Sequence, residues 1–515
     1  MSTNILIVGA GPTGLVLALS LARRGIALRI ISDAKGPGEQ SRAMAVHART
    51  LEFYRQFGFA DEVIARGVRV ERVHLRVEGR ERAEIRLGDI GGALSPYPFM
   101  LDYPQDDHES FLVEKLAALG VHVEWQATLT GLSQNETGVR AEIARGDGRR
   151  EIADFGYVCG CDGAHSQVRR SLGVDFDGGT YDQHFFVADV KIDGPFQSDM
   201  TVNLGKHMVT LLLPVRSSGM QRLIGLVPPA LTHRENLGFD DVRADVEPLV
   251  GVRVTEVNWF SSYRVHHRVA SKFHVGRAFL LGDAGHVHSP VGGQGMNTGI
   301  GDAINLGWKL ADVLRERAPA SLLDSYEPER IAFARSLVAT TDCAFTQMIA
   351  EGLIGELTRR FLAPLLAGVA SRLAFTREAL FRAVSQTHIH YADSPLSQGT
   401  AGTVHGGDRL PWTGAAGPDN FAPLASLDWQ AHVYGEPQSD MEGACAGLGL
   451  PLHHMPWTAA AEDAGLAQGA AYLVRPDGYV AAAVAKEHAA VALSEYLTRR
   501  RLSLTPSRQP AAVAQ

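Results

Sequence analysis

The sequence predicts an α/β protein in three parts, and three observations carry that reading. Residues 4–8 (Asn-Ile-Leu-Ile-Val) are an apolar run that passes through a Gly-rich turn into a helical pattern and then a second apolar run at 26–32. Residues 181–264 are rich in apolar runs and two-residue alternations typical of strands. The last hundred residues mix short strand and helix patterns behind a Gly-, Pro-, Ser- and Thr-rich break at 394–420.

Taken in order, the run at 4–8 reads as a buried parallel strand, because it has no polar face. Leu15 to Arg24 form a helix that Gly25 ends, and 26–32 form the next strand, giving a βαβ unit. Helical periodicity runs through about 47–67 and again over 109–119, with a strand at 121–125. The alternation at 139–145 and 151–158 predicts a hairpin. Strands follow at Phe185–Ile192, Met208–Pro214, Leu223–Val227 and Glu256–Tyr263. Residues 277–282 are a further buried strand, leading through a Gly-rich loop into a helix from about 297 to 315. Residues 328–390 are helical, and 394–420 read as a linker or long loop. The C-terminal part carries strands at Leu427–Tyr434, Tyr472–Val474 and Gly478–Ala482, helices near 440–447, 459–467 and 487–499, and a disordered tail at 503–515.

A length of 515 residues suggests about three domains. A formal charge of −8, from 49 basic and 57 acidic residues, leaves no basic excess to hold nucleic acid. The four cysteines include no C-x-x-C, so neither a disulfide framework nor a metal site follows, and a reducing cytoplasm is the default. Ile5–Leu21 lacks the basic start of a signal peptide and is interrupted by Gly9, Gly11, Pro12 and Gly14; no run of about 20 apolar residues predicts a membrane span.

The first motif is Gly9-Ala10-Gly11-Pro12-Thr13-Gly14, a G-x-G-x-x-G set between a strand and a helix, with Asp33 19 residues after Gly14 at the end of the next strand. In that context it predicts a Rossmann-like dinucleotide site. Gly9 permits the tight turn, Gly11 lets a pyrophosphate approach, Gly14 lets helix and strand pack, and Asp33 accepts hydrogen bonds from a ribose. The second motif, Asp162-Gly163-Ala164-His165-Ser166-Gln167-Val168-Arg169, is a D-G-x-x-S-x-x-R after a strand. The third, Gly282-Asp283-Ala284-Gly285-His286, leads into Pro290-Val291-Gly292-Gly293-Gln294-Gly295-Met296-Asn297. It sets a carboxylate at a strand end, where it can bind ribityl or ribose hydroxyls. A helix N-terminus then follows, whose free N–H groups and positive dipole suit the negative edge of a reduced flavin.

In this order and spacing the three motifs resemble the FAD-dependent aromatic hydroxylases, the superfamily of para-hydroxybenzoate and phenol hydroxylases. The resemblance covers most of residues 1–345, and Gly285 stands where the family usually has Ala. It implies FAD contacts from Arg42 in Ser41-Arg42-Ala43 and from Gln105. It links Asp162 and Gly163 to FAD and NAD(P)H, and it gives Pro290, Gly292 and Gly295 the shaping of the flavin loop. It also implies NADPH or NADH as a transient co-substrate, O₂, an aromatic substrate and a flavin C4a-hydroperoxide as oxygen donor, with no general base assigned. The implied organisation is an FAD-binding domain at 1–180 and 265–345 and a substrate-binding sheet at 181–264, joined by part of 70–105. A helical connection at 346–395 precedes a C-terminal domain at 396–515 that resembles the thioredoxin-like domain of larger members. Without C-x-x-C, that domain is expected to be structural or to serve a homodimer contact.

Some residues keep two readings. His47 either approaches the active site or is a helix-surface histidine. His286 belongs to the flavin motif and is expected to hold the loop. A zinc site from His266, His267, His286 and His288 lacks ligand spacing. The strand Met208–Pro214 is apolar on both faces and suits either a core or a substrate wall. Epoxidation, Baeyer–Villiger oxidation and antibiotic hydroxylation on the same scaffold remain open, as does a non-catalytic flavin-binding protein. A halogenase would need a W-x-W-x-I-P segment, which none of the six Trp residues forms.

Overall fold

The computed structural model describes residues 4–38, 43–87, 91–194, 197–205, 208–215, 219–232, 234, 236–289, 291–349, 378, 381–383, 385–414 and 417–504. The chain folds around two large sheets and a smaller C-terminal one. The central sheet runs, edge to edge, His274–Val275, Ala278–Leu280, Tyr157–Gly160, Ile5–Val8, Leu28–Ile31 and Val123–Glu124. Its strands are parallel except for the first. Ile5–Val8 is buried along its whole length, which explains why the run has no polar face. The helix Pro12–Ala22 is apolar nearly all round, because the sheet covers one side and the helix Gly295–Leu314 the other.

The two helices meet through small residues. A β-carbon on Gly299 would lie 2.3 Å from Thr13 Oγ1, and one on Gly307 would lie 2.5 Å from Ser20 Oγ. Neither position tolerates a side chain without the helices moving apart.

The second sheet has eight strands in the order His286–Val287, Val254–Ala270, Phe176–Ile192, Met220–Leu226, Val209–Val215, Met200–Leu204, Arg72–Val77 and Arg80–Arg86. The two long strands each have 17 residues and pair with each other, so the expected limits at 181 and 264 fall inside strands. The hairpin 72–86 completes the far edge. The helix Phe239–Val250 covers one face, packing on Phe186, Ala188, Leu212 and Leu223.

Three sequence expectations change or narrow. The run 151–158 is two strands, not one. Arg150–Phe155 pairs with Val139–Arg145, the chain crosses at Gly156, and Tyr157–Gly160 enters the central sheet. Gly156 permits the crossing, since its β-carbon would stand 3.0 Å from the Asn4 carbonyl oxygen. The second is at 394–420, expected to be a linker or a long loop: it is a long loop packed on the protein and not a free linker. Thr400–Ala401 pairs with Val404–His405, Gln398 bridges to Ala482, and Leu410 is fully buried. Its glycines serve close packing: a β-carbon on Gly406 would lie 2.2 Å from the Gln398 nitrogen. Third, the helix expected from about 297 starts at Gly295. The helix Tyr326–Ile349 follows; most of the expected connection 346–395, and the tail from 505, lie outside the described residues.

The C-terminal sheet orders Leu452–Met455, Gln430–Tyr434, Ala471–Val474 and Val480–Val484. Its first pair is parallel and joined through the helix Met441–Leu448; the other pairs are antiparallel, and the helix Ala489–Arg499 follows.

Candidate active site

The Gly-rich loop between Val8 and Pro12 turns at Gly9, whose φ of 105° is open to glycine but strained for other residues. A β-carbon on Gly9 would come within 2.2 Å of the Cys161 carbonyl oxygen, and one on Gly14 within 2.0 Å of the Gly9 carbonyl oxygen. Both are therefore packing glycines. Gly11 differs: its β-carbon would meet only Glu109 Oε1, at 3.9 Å, which leaves a cradle at the N-terminus of the helix Pro12–Ala22. Asp33 is exposed just past the end of the neighbouring strand. Gln105 lies close by, but its amide nitrogen donates to Glu109 Oε1 at 2.8 Å, while Glu109 Oε2 accepts the Gly38 N–H. Burial raises the Glu109 pKa, partly offset by those two hydrogen bonds.

The second motif packs against this loop, and its acid is occupied within the motif. Asp162 accepts the Ser166 hydroxyl at 2.5 Å and the N–H groups of Gln167 and Val168 at 2.7 and 3.1 Å. The Asp162 side chain is thus a brace of its own loop; Gly163, in the left-handed region at φ 74°, turns that loop. Arg169, the last residue of the motif, donates to the carbonyls of Ala164 and Ala284 and lies over the Phe176 ring at 3.8 Å. It ties the second motif to the third.

The third motif is held by a residue that the sequence reading did not single out. Asp302 is fully buried and accepts the Gly282 N–H at 2.9 Å, His286 Nε2–H at 2.8 Å and Arg330 Nε–H at 2.6 Å. Burial alone would raise its pKa, but Arg330 and His286 outweigh that and hold it below the ordinary range. Arg330 also donates to the Thr298 carbonyl and the Tyr391 hydroxyl. With Gly282 fixed in this way, the neighbouring Asp283 is left exposed beside the loop. Its carboxyl is exposed there, yet the dense protein around the cleft raises its pKa. The signal for Asp302 was a carboxylate in an otherwise apolar helix stretch, which burial requires to be paired.

The loop that follows is shaped by Gly292 and Gly293, at φ 77° and 62°. A β-carbon on Gly293 would lie 2.7 Å from Ala45 Cβ, and one on Gly295 3.7 Å from His288 Nε2. Met296 is half-buried on the core beneath. Asn297 acts through its side chain as a cross-brace. Its Oδ1 accepts His47 N–H at 2.9 Å and the Thr50 hydroxyl at 2.8 Å; its Nδ2 donates to the Ala45 and Gly293 carbonyls at 2.8 and 3.0 Å. The side chain is thus engaged with protein, and a ligand would meet the backbone of this helix start. His47 is buried, not on a helix surface. It precedes the helix Ala48–Gln56, sits beside Gly292 and Gly293, and burial pushes its pKa down to about 4. Arg42 and Pro290 lie outside the described residues.

Met44 and Ala45 join the loop to the eight-stranded sheet. Ala45 abuts Gly293, while Met44 packs with Leu213, Val215, Met100, Leu211 and Ile224. The strand Val209–Val215 therefore serves both readings made of it. Thr210 and Leu212 face the helix-covered side, and Leu211, Leu213 and Val215 face the loop, Leu211 and Ile224 remaining half-exposed. Arg222, on the same side of its strand as Ile224, is buried in a bidentate pair with Asp189 at 2.7 and 2.8 Å.

The residues fit an FAD. Gly11 leaves a cradle at a helix N-terminus for the pyrophosphate. Around the second helix start the buried polar atoms Ser289 Oγ, Gln294 Oε1 and His47 Nδ1 have no partner among the described residues. A dinucleotide cradle at one end of a cleft and a Gly-rich loop at a second helix N-terminus define an FAD-binding protein. Residues 2–341 match the family model described as an FAD binding domain. The chain belongs to that family, the FAD-dependent aromatic hydroxylases. It is 36% identical to 6-methylpretetramide 4-monooxygenase of Streptomyces rimosus, over 93% of this chain and 90% of that protein. It is 31% identical to dialkyldecalin synthase of Streptomyces rugosporus, over 93% and 96%. Among solved structures, the anhydrotetracycline hydroxylase of Streptomyces rimosus superposes with a TM-score of 0.77 at 26% identity, covering 98% of this chain and all of that one.

Proposed function

We propose that this chain hydroxylates a phenolic or polycyclic aromatic substrate, using FAD, O₂ and a transiently bound NADPH or NADH. The observation that carries the reading is the dipeptide Met44–Ala45, which touches the flavin loop on one side and a half-exposed apolar sheet face on the other. An aromatic molecule on that face lies next to the loop. Bound FAD supplies what side chains cannot: it takes a hydride from NAD(P)H and activates O₂, so that one oxygen atom enters an electron-rich ring and the other leaves as water.

The chain's own residues bind, orient and exclude water. The helix start at Pro12 and the backbone at Gly11 hold the pyrophosphate; Asp33 holds a ribose and Asp283 the ribityl or ribose hydroxyls. The free N–H groups at Gly295–Asn297, at the start of the helix, would stabilise negative charge on the flavin. Gly292 and Gly293 let the loop approach Ala45 closely, and the loop would shield the oxygen-reacting face from water. Met44, Met100, Leu211 and Ile224 form a wall whose methionines adapt to extended ring systems. The C-terminal domain, with its parallel pair, hairpin and following helix, is thioredoxin-like in topology and structural in role. No helix among the described residues is long and apolar enough to cross a membrane, and the buried free thiols Cys159, Cys161 and Cys445 suit a reducing cytoplasm.

The dialkyldecalin synthase among the relatives favours a second reading, ring formation on the same scaffold without oxygen transfer. One experiment separates them. A panel of phenols and polycyclic aromatics is scored for stimulated NADPH oxidation and for ¹⁸O from O₂ in the product. The hydroxylase reading expects both. Label arriving from water, or H₂O₂ as the only product with every compound, defeats it, and substrate turned over with no change in oxygen content selects the second reading.

A further inference from the structure

We propose that the turn Arg475–Gly478 of the C-terminal domain is a positioning element of the cofactor site, which makes that domain part of the site's construction. The inference rests on the reading that the cleft takes FAD. The turn joins the strands Ala471–Val474 and Val480–Val484, closed by the Gly478 N–H on the Arg475 carbonyl at 2.9 Å, with Gly478 at φ 77°. Far from being a surface hairpin tip, it is buried against the helix Gly295–Leu314 that follows the flavin loop and the helix Ala48–Gln56 that Asn297 braces.

The first contact is with the helix Gly295–Leu314. Asp477 Oδ2 accepts Trp308 Nε1–H at 3.0 Å. Arg475 grips Asp477 at 2.6 and 3.1 Å and Glu329 at 2.7 and 3.0 Å. Glu329 also takes Lys309, Asn305 and Ser394. Every charged member is essentially inaccessible to water. Burial alone would raise the Glu329 pKa, but Arg475 and Lys309 outweigh it and hold it far below the carboxylate range. Burial pushes Lys309 down to about 8 despite Glu329.

The second contact is with the helix Ala48–Gln56. Arg49 Nη2 donates to the Asp477 carbonyl at 2.8 Å, and Arg49 Nη1 to Glu52 at 2.8 Å. Glu52 in turn receives Arg409, another residue of the C-terminal part, at 2.5 and 2.9 Å. A β-carbon on Gly478 would lie 3.1 Å from Gln56 Nε2, so the turn packs closely on the helix face.

What makes this more than a domain contact is its closeness to the loop. Arg49 is bonded to Asp477, and its neighbour Thr50 is bonded to Asn297, which holds Gly293. Three residues, Arg49, Thr50 and Asn297, link the C-terminal turn to the flavin loop. Because Asp477 also holds Trp308, three turns further along Asn297's own helix, the turn ties the start of the helix Ala48–Gln56 to the body of the helix Gly295–Leu314. A buried network of paired charges has few alternative geometries, since breaking one pair leaves an unpaired buried charge. That rigidity suits a device that sets a distance.

The test uses the full chain. FAD affinity is measured by fluorescence titration of the apoprotein well below its melting temperature, together with the visible circular dichroism of the bound flavin. Trp308→Phe, which removes the N–H to Asp477 along with the pyrrole part of the buried indole, and Arg49→Met are expected to weaken FAD binding about tenfold or more and to alter the flavin dichroism. Leu450→Ala is the control. It truncates the C-terminal core at the opposite edge of the sheet and is expected to lower the melting temperature while leaving affinity and dichroism unchanged. Unchanged affinity and dichroism in Trp308→Phe and Arg49→Met overturn the proposal, as does an equal loss in Leu450→Ala. A wild-type chain that takes up no FAD defeats the cofactor reading itself.

Discussion

Two acids one strand end apart, Asp283 and Asp302, divide the work at the third motif. Asp302 is buried and bonded three ways, whereas Asp283 is exposed, so Asp283 is the one that can present its oxygens to a ligand. A hydrogen bond to a charged group contributes about 1.5–3 kcal/mol. Asp283→Ala should therefore weaken FAD retention roughly ten- to hundredfold, read as flavin absorbance surviving gel filtration, with little change in melting temperature. Asn297→Leu should behave differently, because it unmakes four hydrogen bonds between the loop and residues 45–50. It should lower both the melting temperature and the FAD affinity; a change in affinity alone would mean that Asn297 touches the cofactor directly.

At the scale of elements, glycines decide whether the helices can approach. Gly14→Ala would push a methyl to 2.0 Å from the Gly9 carbonyl, a backbone atom that cannot swing aside. Overpacking of this kind costs about 1–3 kcal/mol or more, and here it deforms the cradle, so FAD occupancy should collapse. Gly443→Ala is the contrast. It lies inside the helix Met441–Leu448 and its β-carbon would meet nothing within 4 Å. Removing a helical glycine in open space should stabilise the protein by about 0.5–1 kcal/mol, visible as a small rise in melting temperature.

For the whole molecule, pH is the informative variable. Burial pushes His47 down to about 4, and His108 and His432 down to about 3. In the unfolded chain these side chains gain protons near pH 6.5, while in the folded chain they stay neutral well below that. The unfolded state then binds more protons, so stability should be full above about pH 6.5 and fall as the pH drops towards 4. Each histidine contributes a slope of about 1.4 kcal/mol per pH unit in that window. Denaturant unfolding at pH 7.5 and 5 measures it; equal stability at the two values would mean that these rings are hydrated or paired with acids.

Periodicity and motif spacing made the βαβ unit, the strand–loop–helix of the third motif and the C-terminal strands legible, because each is a local pattern with a local physical cause. They also made a dinucleotide site legible, since glycines at fixed spacing are needed wherever a backbone must approach a phosphate, and the resemblance carried by the second and third motifs narrowed it to FAD. What the sequence could not show was which side chains are free. Asp162, Gln105 and Asn297 stand in the motifs, yet Asp162 and Asn297 are bonded through their side chains to protein, and Gln105 gives its amide to Glu109. His47, expected either near the active site or on a helix surface, is buried against the loop. The break at 394–420 read as either a linker or a long loop because glycine and proline mark both, and only the structure shows a packed loop. The sequence by itself determined the cofactor and the order of the elements, which depend on neighbours along the chain. Only the tertiary structure decided that Asp302, Glu329, Arg475 and Asp477 are buried together, because charges fit inside a protein only when partners from distant segments arrive to pair with them.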